Sequence, residues 1–97
     1  GGADPSELRV TFLSVGHGGC TVVETPDGRC LLYDAGTTLG PAAVRRVVAP
    51  FLWHRGVTRV DELFVSHADA DHFNGVAELL ARFPVGQVTL TPSFADK

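Results

Sequence analysis

A short apolar strand that runs directly into a dense group of His and Asp residues constrains this fold more than any other feature. Residues 60–66 read Val-Asp-Glu-Leu-Phe-Val-Ser, and residues 67–72 read His-Ala-Asp-Ala-Asp-His. Apolar residues at helical spacing follow over 76–83, and Pro84 then ends the predicted helix. A strand, a polar loop and a helix in this order are typical of α/β proteins, whose sites lie at the carboxyl ends of strands.

Four further β-strands and one further helix are predicted, which gives the order β-β-β-α-β-α-β and an α/β layered domain. The strands cover residues 8–15, 20–25, 29–34, 60–66 and 85–91. Three consecutive apolar residues at 63–65 predict burial on both faces of the fourth strand, as in a sheet covered by helices. The first helix covers residues 41–54, and Pro50 inside it predicts a kink or a break near Val48–Ala49.

Composition limits the function classes. With 97 residues, the chain has the size of one small domain, and its net charge of −3 argues against a broad electrostatic surface for nucleic acid. Cleavage of a polyanion at a metal remains compatible with that charge. There is no apolar run long enough to span a membrane and no signal peptide. Residues 1–7 are interpreted as a linker or a cloning remnant and residues 8–97 as a partial domain excised from a longer chain.

The two cysteines are predicted to be reduced and buried. Two cysteines are too few for a disulfide framework. If Pro26-Asp27-Gly28 is a hairpin turn, Glu24 rather than Cys20 lies near Cys30 across the strands.

Four potential metal ligands fall within six residues: His67, Asp69, Asp71 and His72. Imidazole and carboxylate are ligands that zinc, iron and manganese accept. In an extended segment the first three point one way and His72 the other, which suits two adjacent metals. His67 would bind one metal, Asp71 and His72 the other, and Asp69 would be a ligand or an orienting group. The alternative is an acidic loop in which Asp71 caps the following helix.

Asp34 is a second candidate, because it ends a predicted strand and precedes Ala35-Gly36. It could orient a metal-bound histidine or water, or it could satisfy the backbone of its own loop. His17 lies in a glycine loop, where it could contact the site but is expected to be solvated. His54, at a predicted helix end, is expected to be structural.

Residues 66–75, Ser-His-Ala-Asp-Ala-Asp-His-Phe-Asn-Gly, resemble the central signature of metallo-β-lactamase-fold hydrolases. The run Leu31 to Gly36 resembles the earlier Asp-x-Gly motif of that superfamily. More narrowly, the chain resembles the metallo-β-lactamase-like domain of ComEC-type DNA-uptake competence proteins. The markers are residues 14–19, 25–29 and 48–52, and Asp69 where lactamases usually carry a His.

The resemblance implies the N-terminal half of a four-layer αββα sandwich that holds one or two metal ions, usually zinc, and hydrolyses its substrate with a metal-activated water. Carried over by residue, His67 binds one metal, Asp71 and His72 bind the other, Asp69 replaces the usual second His, and Asp34 supports the site. Asp69 and Asp71 are therefore the catalytic candidates.

In ComEC-type proteins this domain accompanies a membrane channel and is thought to degrade the DNA strand that is not imported. The resemblance thus implies DNA, a channel and the remainder of the same chain as partners, in a membrane-bound parent protein with this domain on the extracytoplasmic face. Two alternatives stay open: a hydrolase of thioester, lactone or β-lactam substrates, and a non-catalytic module for assembly or DNA binding.

The sequence departs from the ComEC pattern in the first loop and at the end of the chain. Ser14, His17 and Gly19 stand where that pattern usually has Asp, Gln and Asp. The later family motifs, which supply further ligands, do not occur before Lys97. We therefore expect this 97-residue piece to bind zinc weakly or not at all and to be inactive alone. A homodimer that covers an exposed sheet surface is a further expectation.

Overall fold

A computed structural model describes residues 7–15, 19–34, 40–66 and 72–91. The strands are β1 (Arg9–Ser14), β2 (Gly19–Glu24), β3 (Cys30–Asp34), β4 (Val60–Ser66) and β5 (Val85–Thr91). The helical elements are α1 (Pro41–Ala43), a π-helical segment (Val44–Val48), α2 (Ala49–His54) and α3 (His72–Leu80). The predicted α/β order is confirmed, and the bounds of the last two strands agree with the sequence prediction.

The five strands form one mixed sheet in the order β1-β2-β3-β4-β5. The first three are antiparallel neighbours, whereas β4 is parallel to both β3 and β5. Parallel neighbours need a crossover connection, and the helical elements between β3 and β4 and between β4 and β5 supply it. The two crossovers pack against each other, since α3 contacts both α1 and the π-helical segment.

The β2–β3 hairpin closes as the turn chemistry predicts. The Thr25 amide donates to the Arg29 carbonyl at 2.9 Å, and the Gly28 amide donates to the Thr25 carbonyl at 3.0 Å. Gly28 has φ +87°, a conformation that side-chain-bearing residues avoid. The resulting register places Glu24 opposite Cys30, as predicted. Cys20 and Cys30 are both buried, as predicted, and the register pairs Cys20 with Asp34 rather than with Cys30.

The first helix changes its winding just before Pro50. A π-helical segment covers Val44–Val48, and α-helical winding resumes at Ala49. Pro50 has no N–H to donate to the preceding turn, and the disturbance predicted near Val48–Ala49 takes the form of a change of winding in a continuous helix rather than a break. The helix ends in a Schellman motif, because the Val57 amide donates to the Leu52 carbonyl at 2.9 Å and Gly56 has φ +78°.

The hydrophobic core lies between one face of the sheet and the helices. Its largest fully buried side chains are Leu32, Leu52, Leu63, Leu79, Val22, Val44, Val48, Val60 and Val65. Leu32 and Leu63 pair across the centre of the sheet, so the parallel β3–β4 contact is the middle of the core. No helix among the described residues is long and apolar enough to cross a lipid bilayer.

The other face of the sheet carries exposed apolar residues, and here the sequence prediction needs correction. Val10 and Phe12 are 60% and 66% exposed, and Tyr33 is 44% exposed. Leu63 and Val65 are buried as predicted, but Phe64 is only half-buried, because the helices pack on a single face. Its ring lies 5.6 Å from that of Tyr33, so the two aromatic rings cover each other on the open face.

The second helix is shorter than the apolar spacing predicts. The element α3 ends at Leu80, and Phe83 lies in the turn that follows. Phe83 is nevertheless buried, and its ring is 5.5 Å from that of Trp53 at the end of the first helix. The apolar residue thus anchors the turn rather than extending the helix.

Candidate functional site

The candidate site follows from the parallel pairing of β3 and β4. Leu31 pairs with Glu62 and Tyr33 with Phe64, so the two strands end side by side. We call the edge of the sheet where they end the carboxyl edge. Asp34 is the last residue of β3, and the His67–His72 motif connects the end of β4 to the start of α3 at His72. The structure therefore attaches Asp34 and the motif to one edge of the sheet, where α/β proteins place their sites.

The glycine loop is attached to the same edge. Ser14 at the end of β1 pairs with Gly19 at the start of β2, and Cys20 pairs with Asp34. The segment that carries His17 therefore begins and ends beside the end of β3. Three of the four sequence segments singled out for chemistry thus meet the sheet at its carboxyl edge, and His54 does not, because it ends α2.

The described residues contain only part of the predicted ligand set. His67, Asp69, Asp71 and His17 lie outside the described ranges, and Asp34 and His72 are described by their backbone alone. Within those ranges no group of three or more His, Cys, Asp or Glu side chains is arranged to hold a metal. The roles of the motif residues as metal ligands, and of Asp34 as an orienting group, therefore stay predictions.

The donor chemistry of the motif fits zinc. Two imidazoles and two carboxylates lie within six residues between a strand and a helix. Catalytic zinc sites use three protein ligands of these types and leave one position open for water or substrate. The motif follows β4 directly in the sequence and ends at the first residue of α3.

Gly19 occupies the position where the ComEC pattern has a carboxylate, and its surroundings explain the small residue. A Cβ at this position would overlap the Phe12 ring. The ring lies on the open face, diagonally across the β1–β2 pair from Gly19. A side chain at Gly19 would therefore displace the Phe12 ring.

Sequence reasoning missed a second feature, a cavity of about 440 Å³ at the opposite edge of the sheet. We call it the amino-edge cavity, since it lies where β3 and β4 begin. Neighbouring residues on the helix-covered face form its floor: Arg9, Glu24, Cys30 and Asp61. The helical layer ends above this floor at the turn after α2, and the residues of that turn, Arg55 to Arg59, also line the cavity.

Hydrogen bonds fix the carboxylates on that floor. Asp61 accepts the Cys30 amide at 2.7 Å and the Arg59 guanidinium at 3.2 Å. The Cys30 amide, followed by Arg59, holds the pKa of Asp61 below its usual value of 3.8. Burial, with the nearby charges of Glu24 and Asp61, raises the pKa of the Cys30 thiol to about 12. Cys30 therefore stays a neutral thiol, and the negative charge on the cavity floor is carried by the carboxylates of Glu24 and Asp61.

A family model described as the metallo-beta-lactamase superfamily matches residues 13–92. This chain belongs to the metallo-β-lactamase superfamily. The matched span includes Asp34 and the whole His67–His72 motif, and it leaves out Arg9 on the floor of the amino-edge cavity. The one-sided packing of the sheet is consistent with one sheet-and-helix half of a metallo-β-lactamase fold, as the sequence resemblance implied.

Three relatives support a narrower placement within the superfamily. Competence protein ComA of Neisseria gonorrhoeae is 36% identical over 83 residues, which are 86% of this chain and 11% of the relative. Recombination protein 2 of Haemophilus influenzae is 31% identical over 86 residues, 88% of this chain and 10% of the relative. ComE operon protein 3 of Bacillus subtilis is 28% identical over 105 residues, 95% of this chain and 14% of the relative.

The names of the first and third relatives confirm the resemblance of this superfamily member to competence proteins of the ComEC type. The chain spans between 10% and 14% of the length of the relatives it matches. No solved structure gives a significant match.

Proposed function

We propose that this chain supplies metal ligands to a metal-dependent hydrolase domain that cleaves phosphodiester bonds of DNA in a ComEC-type competence protein. The observation that carries the proposal is the side-by-side ending of β3 and β4, which attaches Asp34 and the His67–His72 motif to one sheet edge. The superfamily match and the competence relatives support the reaction class and the substrate.

Each candidate residue has a defined part in this proposal. Zinc, when bound, lowers the pKa of water and stabilises charge on the attacked phosphate. His67 would hold one ion, Asp71 and His72 the other, and Asp69 would lie between them. Asp34 would accept a hydrogen bond from a ligating histidine or from water and so fix its orientation. His17, in the glycine loop, is the candidate for a contact between that loop and the site, and is otherwise solvated.

The activity test substitutes His67 and Asp71 separately by alanine in the longest natural chain that contains this sequence. Loss of an outer hydrogen-bond partner alone costs about 10–100-fold in activity, so loss of a direct ligand is expected to lower metal-dependent DNA hydrolysis by at least ~100-fold. Asp34→Ala is expected to fall within the smaller range. Matched controls are His54→Ala and Asp27→Ala, which remove the same side chains far from the carboxyl edge.

Three outcomes separate the competing functions. Loss of DNA hydrolysis in both ligand variants, with the controls active, supports the proposal. DNA hydrolysis that does not change in either ligand variant would favour a non-catalytic module for assembly or DNA binding. Metal-dependent cleavage of a thioester, a lactone or a β-lactam, without cleavage of DNA, would assign a different hydrolase of the same fold.

The 97-residue chain by itself is proposed to hold zinc weakly and to be inactive. His67, Asp71 and His72, divided between two ions, supply fewer than the three protein ligands that a catalytic zinc site uses. Zinc content after dialysis, measured at micromolar protein concentration, checks this statement. Stoichiometric retention of zinc would contradict it.

The open sheet face indicates a partner within the same chain. Val10, Phe12 and Tyr33 expose 44–66% of their surface there, and the relatives extend far beyond the matched region. We propose that a second β-sheet, from the remainder of the chain, packs on this face. The parent protein is proposed to be membrane-bound beside a channel, with this domain on the extracytoplasmic side, and accessibility of the domain to protease in intact cells tests that orientation.

Phe12→Asp tests the packing proposal, with Val88→Asp on the helix-side face of the edge strand as the matched control. In a longer chain that supplies the second sheet, the Phe12 variant is expected to lose about 2–4 kcal/mol, because a charge is buried. In the 97-residue chain the expected change is within about 0.5 kcal/mol. If Phe12→Asp destabilises neither chain, the proposal is refuted. If instead the 97-residue chain is a dimer in sedimentation and the variant is not, the face is covered by a second copy.

A further inference from the structure

The amino-edge cavity gathers positive charge in a chain that is acidic overall. Four of the eight Lys and Arg residues of the sequence line it, namely Arg9, Arg29, Arg55 and Arg59. The net charge of the chain is −3, so this concentration does not follow from the composition. Arginine presents a planar fork of donors that matches the oxygens of phosphate and carboxylate groups.

Two of these arginines are already neutralised by carboxylates. Arg55 donates to Glu24 at 3.0 Å, and both side chains are less than one-fifth exposed. Arg59 donates to Asp61 at 3.2 Å, and its guanidinium lies over Gly86, where a Cβ would come within 2.6 Å of it. These inner pairs form the wall of the cavity, and their charges are largely satisfied.

The other two arginines form the outer part of the cavity and have no ion-pair partner among the described residues. Arg9 begins β1 opposite Glu24, whose carboxylate is held by Arg55. Arg29 follows the hairpin turn, and its charge acts on Asp61. Three acidic residues also line the cavity: Glu24 and Asp61, which pair with Arg55 and Arg59, and Glu7, which is exposed. The outer guanidinium groups are therefore free to bind an anionic ligand that reaches the cavity from solvent.

The backbone around the outer arginines is fixed before any ligand arrives. The Arg29 amide donates to the Thr25 hydroxyl at 3.0 Å, and the Arg29 carbonyl accepts the Thr25 amide at 2.9 Å. The Thr25 hydroxyl also bonds the Asp27 carboxylate. Arg9 is held by the antiparallel β1–β2 register. The hairpin and the strand register thus fix the backbone positions from which both side chains extend.

We propose that the amino-edge cavity binds the phosphate backbone of a single-stranded nucleic acid through Arg9 and Arg29. The choice of nucleic acid as the source of the phosphates rests on the proposed function. The cavity lies at the start of β4 and the metal motif follows its end, roughly 20 Å away for seven residues at strand rise. The site is thus separate from the reaction centre and would hold a strand away from the point of cleavage.

The test measures binding of a fluorescent single-stranded oligonucleotide of about 12 nucleotides by anisotropy, with chelator and over a range of salt concentrations. Each phosphate contact contributes about 0.7 to the slope of log affinity against log salt for a single strand. The double variant Arg9→Gln/Arg29→Gln is therefore expected to flatten that slope by about 1.4. Its affinity at low salt is expected to fall about tenfold. Thermal melting of each variant confirms that it is folded.

Two further variants of the same chain serve as controls, one expected to leave binding unchanged and one expected to strengthen it. Arg46→Gln removes an exposed arginine of the helical layer that has no ion-pair partner among the described side chains, and it is expected to leave the slope unchanged. Glu7→Gln removes the unpaired carboxylate at the cavity, and it is expected to strengthen binding. If Arg46→Gln lowers the oligonucleotide affinity as much as the double variant does, the effect is due to net charge and the proposal is overturned.

Binding experiments with other phosphate-bearing ligands distinguish the source of the phosphate. Inorganic phosphate is expected to compete only at much higher concentration than the oligonucleotide, since it offers a single group. Binding of anionic phospholipid vesicles that depends on Arg9 and Arg29, without oligonucleotide binding, would overturn the assignment to nucleic acid. The binding measurements are made without metal, so their result does not depend on the hydrolysis assay. Binding that depends on Arg9 and Arg29 can therefore be observed even if the metal-ligand variants hydrolyse DNA normally. In that case the proposed hydrolase function fails and the cavity assignment stands.

Discussion

Replacing Asp61 by alanine is expected to destabilise the chain by about 2 kcal/mol, and most of this follows from one backbone hydrogen bond. The Asp61 carboxylate accepts the Cys30 amide at 2.7 Å, and Cys30 is only 4% exposed. Without the carboxylate that amide is left buried and unpaired, which costs about 1–3 kcal/mol. The ion pair with Arg59 adds about 0.5 kcal/mol at most, because the guanidinium is 55% exposed.

Thermal unfolding followed by circular dichroism measures the effect at neutral pH. For a chain of this size, 2 kcal/mol corresponds to a fall in Tm of roughly 10 °C. Asp61→Asn keeps an oxygen acceptor but loses the charge, so about half of that fall is expected. Glu7→Ala is the matched control, since it removes an exposed carboxylate without a partner in the described ranges, and its Tm is expected to stay within about 2 °C of that of the unsubstituted chain.

The pH dependence of the stabilisation by Asp61 provides a second test of the same prediction. The pKa of Asp61 in the folded chain lies below its usual value of 3.8, so the folded state favours the charged form. Its stabilisation is therefore complete above 3.8 and is lost as the pH falls through the lower, folded value. The Tm difference between the chain and Asp61→Ala should shrink accordingly below that pH. Equal Tm values at pH 7, or a difference that does not change on acidification, would refute the reasoning.

Three other substitutions or reactions follow from the fold. Leu32→Ala in the fully buried centre of the sheet is expected to cost about 2–5 kcal/mol in urea unfolding, against less than about 0.5 kcal/mol for the half-exposed Leu80→Ala. Gly28→Ala is expected to cost about 1–2 kcal/mol because φ is +87° there, whereas Gly40→Ala, with φ −81° and open space around its Cβ, should melt close to the unsubstituted chain. The Cys30 thiol, with a pKa of about 12, should react with iodoacetamide at pH 8 only after denaturation, and rapid labelling of the folded chain would show that the thiol is neither buried nor neutral.

Local chemistry made most of the secondary structure predictable. The extents of β4 and β5 follow from apolar alternation and the residues that flank it, and the change of winding in the first helix follows from the missing amide of Pro50. The errors concern residues whose environment depends on distant parts of the chain. The apolar side chain of Phe64 packs on Tyr33 of the neighbouring strand rather than under a helix, and the sequence of one strand does not show which of these two environments it has. Phe83 packs on Trp53 from outside the helix.

The two candidate sites differ in the same way. The His67–His72 motif is contiguous in sequence, so its ligand types and its position after a strand could be recognised without a fold. The amino-edge cavity combines residues from four strands, the hairpin turn and the segment after α2, and only the strand register brings them together. Arg9 and Arg29 have no distinctive spacing in the sequence. A clue that was available is the clustering of arginines and carboxylates at the predicted strand starts.

The strand order of the sheet has a consequence for how this chain folds. Within the described ranges, every strand pairs only with the strand before it and the strand after it in sequence. The loops closed by the first two pairings span residues 15–18 and 25–29, and each longer connection, over 35–59 and 67–84, contains its own helix. Loop-closure entropy is therefore low at every step. The sheet can grow from β1 to β5 as the chain leaves the ribosome, and no strand has to be inserted between two that are already paired.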